Sequence, residues 1–254
     1  MRFSTLILPL LLGATGTSAA NCAPTAADAQ VLNFASGLST FIGGFFNTTV
    51  NSTFSSTSNG TIQAQKRLLT GVERDNTLGS QAIDQVGAKT PGFAAPQCKF
   101  TYPQPTSIQA WMAWAYRLEA TVAGAFIGLA GFTQSPEVSF LMARLAASHN
   151  GHAVLIGSRV NSTLFAANAT SLVAAFAPAQ VLSSQNQTGS LGMFLGGCLT
   201  APQSPCGSGG LVIGPLGATP SSSGVASSTP MASSTPMGSS TPVASSTSAA
   251  MRMH

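Results

Sequence analysis

The sequence predicts an all-α fold, a four-helix bundle, and three observations support this prediction. Apolar residues recur at intervals of three and four along several stretches, which is the spacing of a buried helix face. Alternating apolar and polar residues, and Asn-Gly turns between β-branched runs, are nearly absent, so strands are not indicated. A proline-containing connection over residues 88–105 divides the helical stretches into two pairs.

The first pair of helices lies before this connection. The first helix is expected to begin after Asp28, a candidate N-cap residue, and to weaken at Gly43-Gly44. A loop is expected over residues 47–61, followed by the second helix over residues 63–86. The buried stripe of the first helix consists of Val31, Phe34, Leu38, Phe41, Ile42 and Phe45.

The second pair of helices has clearer start signals. Thr106 or Ser107 is expected to cap the third helix, whose buried stripe reaches from Ile108 to Leu129. Ser135 precedes a proline and an acidic residue, which is a typical opening for the fourth helix. A further helical segment is expected over residues 164–182.

Both ends of the chain differ in composition from its middle. Residues 1–20 contain a basic start, a short apolar run and small residues before the expected cleavage point, the pattern of a secretory signal peptide. Residues 207–254 are rich in Ser, Thr and Pro, which predicts a disordered tail carrying O-linked sugars. Residues 21–206 then form one folded domain, and an extracellular or cell-wall location is expected. The apolar runs are too short for a membrane span or a lipid anchor.

Charge is scarce in this chain. Charged residues make up 6% of it, whereas roughly 25% is usual in globular domains. The basic residues are scattered and give a formal charge of +4, so nucleic-acid binding is not expected. N-linked sugars are expected to keep the surface soluble, because the chain contains six Asn-X-Ser/Thr acceptor sites. The acceptor residues are Asn47, Asn51, Asn59, Asn161, Asn168 and Asn186.

Four cysteines predict two disulfides in an oxidising compartment. Cys198 and Cys206 flank a short Pro-containing loop and are close enough in sequence to pair locally, which would leave Cys22 to pair with Cys98. In the alternative, Cys22 or Cys98 reaches the C-terminal pair. No Cys-X-X-Cys spacing indicates a metal-thiolate site.

Glu119 is the first candidate for chemistry. It shares the apolar stripe of the third helix, where a carboxylate must be paired, protonated or bound to a ligand. A salt bridge at the edge of the stripe, to Arg117, Arg144 or Arg159, is the simpler alternative.

His149 and His152 stand three residues apart on the fourth helix, so both side chains can reach one metal ion. The alternative is a pair of ordinary helix histidines, one of them bonded to a backbone carbonyl. If the third and fourth helices pack together, Glu119 joins the pair. Two histidines and one carboxylate suit one divalent metal ion, with iron, zinc and manganese as candidates.

Four segments stand in a recognisable order: Asp28 to Phe46, Cys98-Lys99-Phe100-Thr101-Tyr102-Pro103, Arg117-Leu118-Glu119 with Ala123-Gly124-Ala125-Phe126, and His149 to His152 with Arg159. In this order and spacing they resemble the secreted ferritin-like proteins of fungi, including those named for stress response or late sexual development. The resemblance covers residues 28–159 and implies a ferritin-like four-helix bundle.

Ferritin-like proteins that bind two metal ions use a Glu on each of two helices and a Glu-X-X-His on each of the others. By resemblance, Glu119 matches the third-helix carboxylate and His152 the fourth-helix histidine. Glu73 begins a candidate Glu-X-X-His in which Asn76 replaces the histidine, so Glu73 is a further candidate ligand. His149 stands where the fourth-helix Glu is expected, and the first helix offers no carboxylate. The resemblance therefore predicts that the two-metal centre is lost.

The function expected from these observations is that of a secreted or wall-associated glycoprotein. A structural, stress-related or developmental role is expected ahead of an enzymatic one, with cell-wall polysaccharide or other wall proteins as partners. A metal-binding protein that uses Glu119, His149 and His152 for one ion is the first alternative. A binding module with a hydrophobic pocket between its helices is the second.

Overall fold

A computed structural model describes residues 22–54, 60–161 and 174–205 of the chain. These residues contain no β-strand, which confirms the all-α prediction. Most of them belong to four long helices. The helices are α1 (Ala29–Phe54), α2 (Gly60–Gly87), α3 (Ile108–Ala130) and α4 (Pro136–Val160), with a short α5 (Pro178–Val181) near the C-terminal end of the described residues.

The four long helices form the predicted bundle. Helix α1 packs chiefly on α2, and α3 packs chiefly on α4, while contacts of α1 with α3 and of α2 with α4 join the two pairs. The buried side chains of all four helices meet in one hydrophobic core. Within the described residues, no helix combines the length and the apolar composition needed to cross a membrane.

Helix α1 continues through the first part of the predicted loop over residues 47–61. Its buried face extends past Gly43-Gly44 to Thr49 and Val50, so one side of the helix still packs against the core. The Thr49 hydroxyl accepts a hydrogen bond of 2.6 Å from Nε1 of Trp111 on α3. The loop prediction is therefore wrong over these residues, because contacts with α3 outweigh the weak helix propensity of the glycine pair.

The start signals of α3 and α4 are confirmed. Ser107 caps α3 by accepting a hydrogen bond of 3.1 Å from the backbone N–H of Ala110. Ser135 caps α4 by accepting one of 3.3 Å from the backbone N–H of Val138, and Pro136 occupies the first turn. These caps fix where each helix begins and hence which residues face the core.

Asp28 is not the N-cap residue that the sequence suggests. It ends a short 3₁₀ turn (Ala26–Asp28) before α1, and its buried carboxylate accepts hydrogen bonds from the backbone and hydroxyl of Thr25, at 2.9 and 2.8 Å. It also accepts backbone hydrogen bonds from Gln134 at 2.7 Å and Ser135 at 3.3 Å. Asp28 thus ties the start of α1 to the α3–α4 connection. Burial alone would raise the pKa of this carboxyl, but the hydrogen bonds outweigh burial and lower it below 3.8.

Asp28→Asn should destabilise the fold by about 2–3 kcal/mol, because the new amide turns an N–H toward buried N–H donors. The ionised carboxylate stabilises the fold above pH 3.8, and this contribution is lost as the pH falls through the lower folded-state pKa. The difference in unfolding free energy between wild type and variant should therefore be largest near neutral pH and should shrink below pH 3.8. Urea titrations across this range measure it, with the exposed Asp84→Asn as control. A pH-independent difference would contradict the assigned role.

A disulfide joins Cys98, in the connection between α2 and α3, to Cys198, with their Cα atoms 5.6 Å apart. This confirms the alternative in which Cys98 reaches the C-terminal pair. The predicted local pairing of Cys198 with Cys206 is wrong, and so is the pairing of Cys22 with Cys98. The two segments run together because the backbone N–H of Thr101 donates to the carbonyl of Phe194 at 3.0 Å.

Several predictions concern residues outside the described part of the chain. These include the signal peptide, the Ser/Thr/Pro tail, and the acceptor residues Asn59 and Asn168. Cys22 is exposed and has no disulfide partner among the described residues. Its remaining candidate partner, Cys206, lies outside them, so the second disulfide stays a prediction. The boundaries of the three predicted segments of the chain likewise stay predictions.

The predicted helix over residues 164–182 is found only in its last part, as α5. Residues 162–173 lie outside the described part, and residues 174–177 are not helical. There the backbone N–H of Phe176 donates to the carbonyl of Gly124 on α3, at 2.9 Å. A side chain at Gly124 or Gly128 would collide with this segment. Close docking on the glycines of α3 therefore replaces helix formation.

Candidate metal centre

Helix α3 buries Glu119 completely. The residue lies among buried neighbours of the same stripe, Leu118 and Val122, and its exposed fraction is 0%. A carboxylate in such surroundings requires partners that offset the loss of hydration. The sequence left open a salt bridge between Glu119 and an arginine. The structure instead surrounds the carboxylate with polar groups from α4 and α2.

Helix α4 supplies the first two of these groups. Nδ1 of His149 lies 2.6 Å from Oε2 of Glu119. Nδ1 of His152 lies 3.5 Å from the same oxygen, within reach of electrostatic attraction but without a hydrogen bond. One ligand atom from each of the three residues lies within 4.8 Å of the others. The structure thus brings together the three residues that the sequence singled out.

An aromatic contact holds the ring of His149 in place. The ring of His149 stacks on Phe126 of α3, with ring centres 5.2 Å apart. The rings of His149 and His152 meet edge to face at 5.8 Å. The stacked ring of His149 therefore has little rotational freedom, and one ligand atom of each of the three residues already lies within 4.8 Å of the others before any ion binds.

Helix α2 contributes two consecutive residues: Asn76, which the sequence placed at the histidine position of the candidate Glu-X-X-His, and Asp75, which the sequence did not identify as part of the site. Nδ2 of Asn76 donates a hydrogen bond of 3.0 Å to Oε1 of Glu119, while the buried Oδ1 of Asn76 has no hydrogen-bond partner in the part of the chain that the structure describes. Oδ2 of Asp75 lies 3.3 Å from Nε2 of His152, and the Asp75 side chain is 56% exposed. Glu73, the candidate ligand one helical turn earlier, is half-buried and lies outside the group.

The pKa values of the site reflect this arrangement. Burial alone would raise the pKa of Glu119, but the charge and hydrogen bond of His149, and then the contacts of His152, lower it from 4.5 to about 2. Burial alone would lower the pKa of His152, but its contacts with Glu119 and Asp75 outweigh burial and raise the pKa above 6.5. A metal ion that binds here must therefore compete with a proton for His152.

The donor set fits one metal ion and does not fit two. Two imidazoles, one carboxylate and a nearby amide oxygen suit a divalent ion such as iron, zinc or manganese. A two-metal carboxylate centre needs acidic residues on several helices, but α1 contains none. On α3 the only acidic residue is Glu119, and on α4 it is Glu137, which pairs with Lys89 at the surface.

Comparison with known proteins agrees with this architecture. A model of the family described as ferritin-like domain matches residues 27–162, which is more than half of the chain. No curated protein and no solved structure shows a significant match. The matched region begins just before Asp28 and includes all four long helices and the residues of the candidate metal centre. The chain belongs to the ferritin-like domain family.

Proposed function

We propose that this chain is an exported ferritin-like glycoprotein whose bundle binds one divalent metal ion at Glu119, His149 and His152. In this proposal the single ion replaces the two-metal centre found in other ferritin-like proteins. The protein acts in metal binding at the cell surface or in the wall, in a stress or developmental setting, and not as a carboxylate-bridged oxidase.

The observation that carries the proposal is the presence of unsatisfied polar atoms beside a buried carboxylate. Among the described residues, the buried Oδ1 of Asn76 has no hydrogen-bond partner, and the buried Nδ1 of His152 has only the ionic contact of 3.5 Å with Oε2 of Glu119. Leaving a buried polar atom unpaired costs about 1–3 kcal/mol. A bound cation would satisfy Nδ1 of His152 and offset this cost, while Glu119 would neutralise part of its charge.

Export is supported by features spread along the chain. The N-terminal pattern, the acceptor sites and the Ser/Thr/Pro tail belong together in a secreted protein. The acceptor residues Asn47, Asn161 and Asn186 are exposed. The disulfide between Cys98 and Cys198 is compatible with an oxidising compartment. A charge-poor surface covered by sugars is suited to wall polysaccharide or wall proteins as partners, and a fungal source fits the same pattern.

A metal-free structural glycoprotein is the second candidate, and one observation favours it. The contact of 2.6 Å between Nδ1 of His149 and Oε2 of Glu119 gives the buried carboxylate a polar partner without a metal. The hydrophobic-ligand module has no comparable support. Surface depressions of about 260, 300 and 470 Å³ in the described part are open and lined by polar as well as apolar residues.

Thermal unfolding with and without added metal distinguishes the two candidates. Chelator-treated wild-type protein should gain about 2.7 kcal/mol when Zn²⁺ or Mn²⁺ is present at a hundred times its Kd. His149→Ala and His152→Ala should each lose this gain, whereas Glu73→Gln should keep it because Glu73 lies outside the group. Equal stabilisation of wild type and both histidine variants, or none in wild type, would reject the metal site.

A further inference from the structure

His152 is the part of the candidate metal centre that solvent can reach. Glu119 is 0% exposed, and His149 and Asn76 are each 2% exposed, whereas His152 is 7% exposed. The ring of Phe126 also stacks on His149. A cation that arrives from solution therefore meets His152 before it meets the other ligands.

A surface depression of about 470 Å³ between α2 and α4 leads to this histidine. Its apolar wall includes Val72 of α2 and Leu155 of α4, and its polar lining consists of Arg74, Asp75 and His152. His152 therefore forms the boundary between the depression and the buried carboxylate of Glu119, whose Oε2 lies 3.5 Å from Nδ1 of the same ring.

The two nitrogen atoms of His152 face two carboxylates. Nε2 lies 3.3 Å from Oδ2 of the half-exposed Asp75, and Nδ1 lies 3.5 Å from Oε2 of the buried Glu119. One imidazole thus connects a carboxylate at the surface with a carboxylate in the core. An oxygen and a nitrogen ligand at the surface are a suitable first contact for a divalent cation that has lost part of its hydration shell.

Two opposite charges line the depression. Asp75 attracts a cation, whereas the neighbouring Arg74 repels it. Charges that line a cleft change the association rate of a charged ligand by about 10- to 1,000-fold, and the effect falls with ionic strength. The rate of metal uptake through this depression should therefore respond to both residues, in opposite directions.

We infer that the metal ion enters through this depression, and that Asp75 and Nε2 of His152 bind it before it reaches Glu119 and His149. The inference rests on the single-metal function proposed above. It assigns Asp75 as a transient metal ligand, and it assigns the space between α2 and α4 as the route of uptake and release. Movement of the His152 side chain completes the transfer.

Stopped-flow absorbance with Co²⁺ and the full chain tests the role of charge. At low ionic strength, Asp75→Asn should lower the association rate constant about tenfold, and Arg74→Gln should raise it. Asp84→Asn removes an exposed carboxylate from the same helix and should leave the rate within about twofold of wild type. High salt should bring Arg74→Gln and Asp84→Asn to the wild-type rate, whereas Asp75→Asn should remain slower because it also lacks the carboxylate that contacts the ion.

A second pair of variants tests the route without changing charge. A side chain added at Gly71 would meet open space in the wall of the depression, so Gly71→Leu should narrow it. Association and dissociation should both slow, with little change in Kd. Gly43→Leu is the matched control, since Gly43 is also an open helical position but lies on α1 outside the depression.

Each outcome separates the inference from the function on which it rests. Wild-type protein that binds no Co²⁺ overturns both. Binding by wild type with equal association rates for Asp75→Asn and Asp84→Asn overturns the inference alone. Faster dissociation of Asp75→Asn at an unchanged association rate would mean that Asp75 only orients His152, and would also overturn it.

Discussion

Glu119→Ala is expected to destabilise the metal-free protein by about 3–5 kcal/mol, because it breaks a buried ion pair by removing one partner. The variant leaves Nδ1 of His149 and Nδ2 of Asn76 without the acceptor that each now contacts, at 2.6 and 3.0 Å. For a domain of this size, the loss corresponds to a fall in Tm of roughly 10 °C. It should also abolish metal binding.

Glu137→Ala is the matched control for this variant. Glu137 also pairs with a base, Lys89, but at 3.5 Å and with side chains that are 35% and 65% exposed. Such surface pairs contribute about 0–1 kcal/mol. Urea unfolding of the chelator-treated proteins compares the two variants directly. A loss of less than about 1 kcal/mol for Glu119→Ala would show that the buried pair is not a stabilising element.

Removal of the Cys98–Cys198 disulfide is expected to cost about 4–5 kcal/mol, close to the loop-closure estimate for a loop of this length. The two cysteines are separated by 100 residues, so the bond greatly restricts the unfolded chain. It also holds the connection between α2 and α3 against the C-terminal segment, where Thr101 contacts Phe194.

The double variant Cys98→Ala/Cys198→Ala measures this contribution under oxidising conditions. Wild-type protein treated with a reductant should fall to the stability of the double variant, while the reductant should leave the double variant almost unchanged. Equal unfolding free energies for the oxidised wild type and the double variant would contradict a stabilising role for the bond.

The elements predicted best from sequence are those specified by local signals. Ser107 and Ser135 cap α3 and α4 as expected, because a cap depends on the three or four residues that follow it. The i, i+3 spacing of His149 and His152 placed them on one face for the same reason. Glu119 was identified as a candidate site residue because burying a carboxylate among apolar side chains is unfavourable unless a partner compensates.

The features that were missed depend on contacts between distant parts of the chain. Helix α1 continues past Gly44 because Thr49 and Trp111 meet across the bundle, which no local pattern shows. Asn76 and Asp75 reach the site only through the packing of α2 against α3 and α4. Asn76 was already marked as the last residue of the candidate Glu-X-X-His that begins at Glu73, whereas no local pattern marked Asp75.

The number of metal ions bound per chain tests the central claim most directly. Protein purified from the medium of a eukaryotic secretion host, without chelators, should contain about one divalent transition-metal ion per chain by mass spectrometry. The double variant His149→Ala/His152→Ala, purified in the same way, should contain almost none. Two ions per wild-type chain, or a metal content equal in the wild type and the double variant, would contradict a single-ion site at Glu119, His149 and His152.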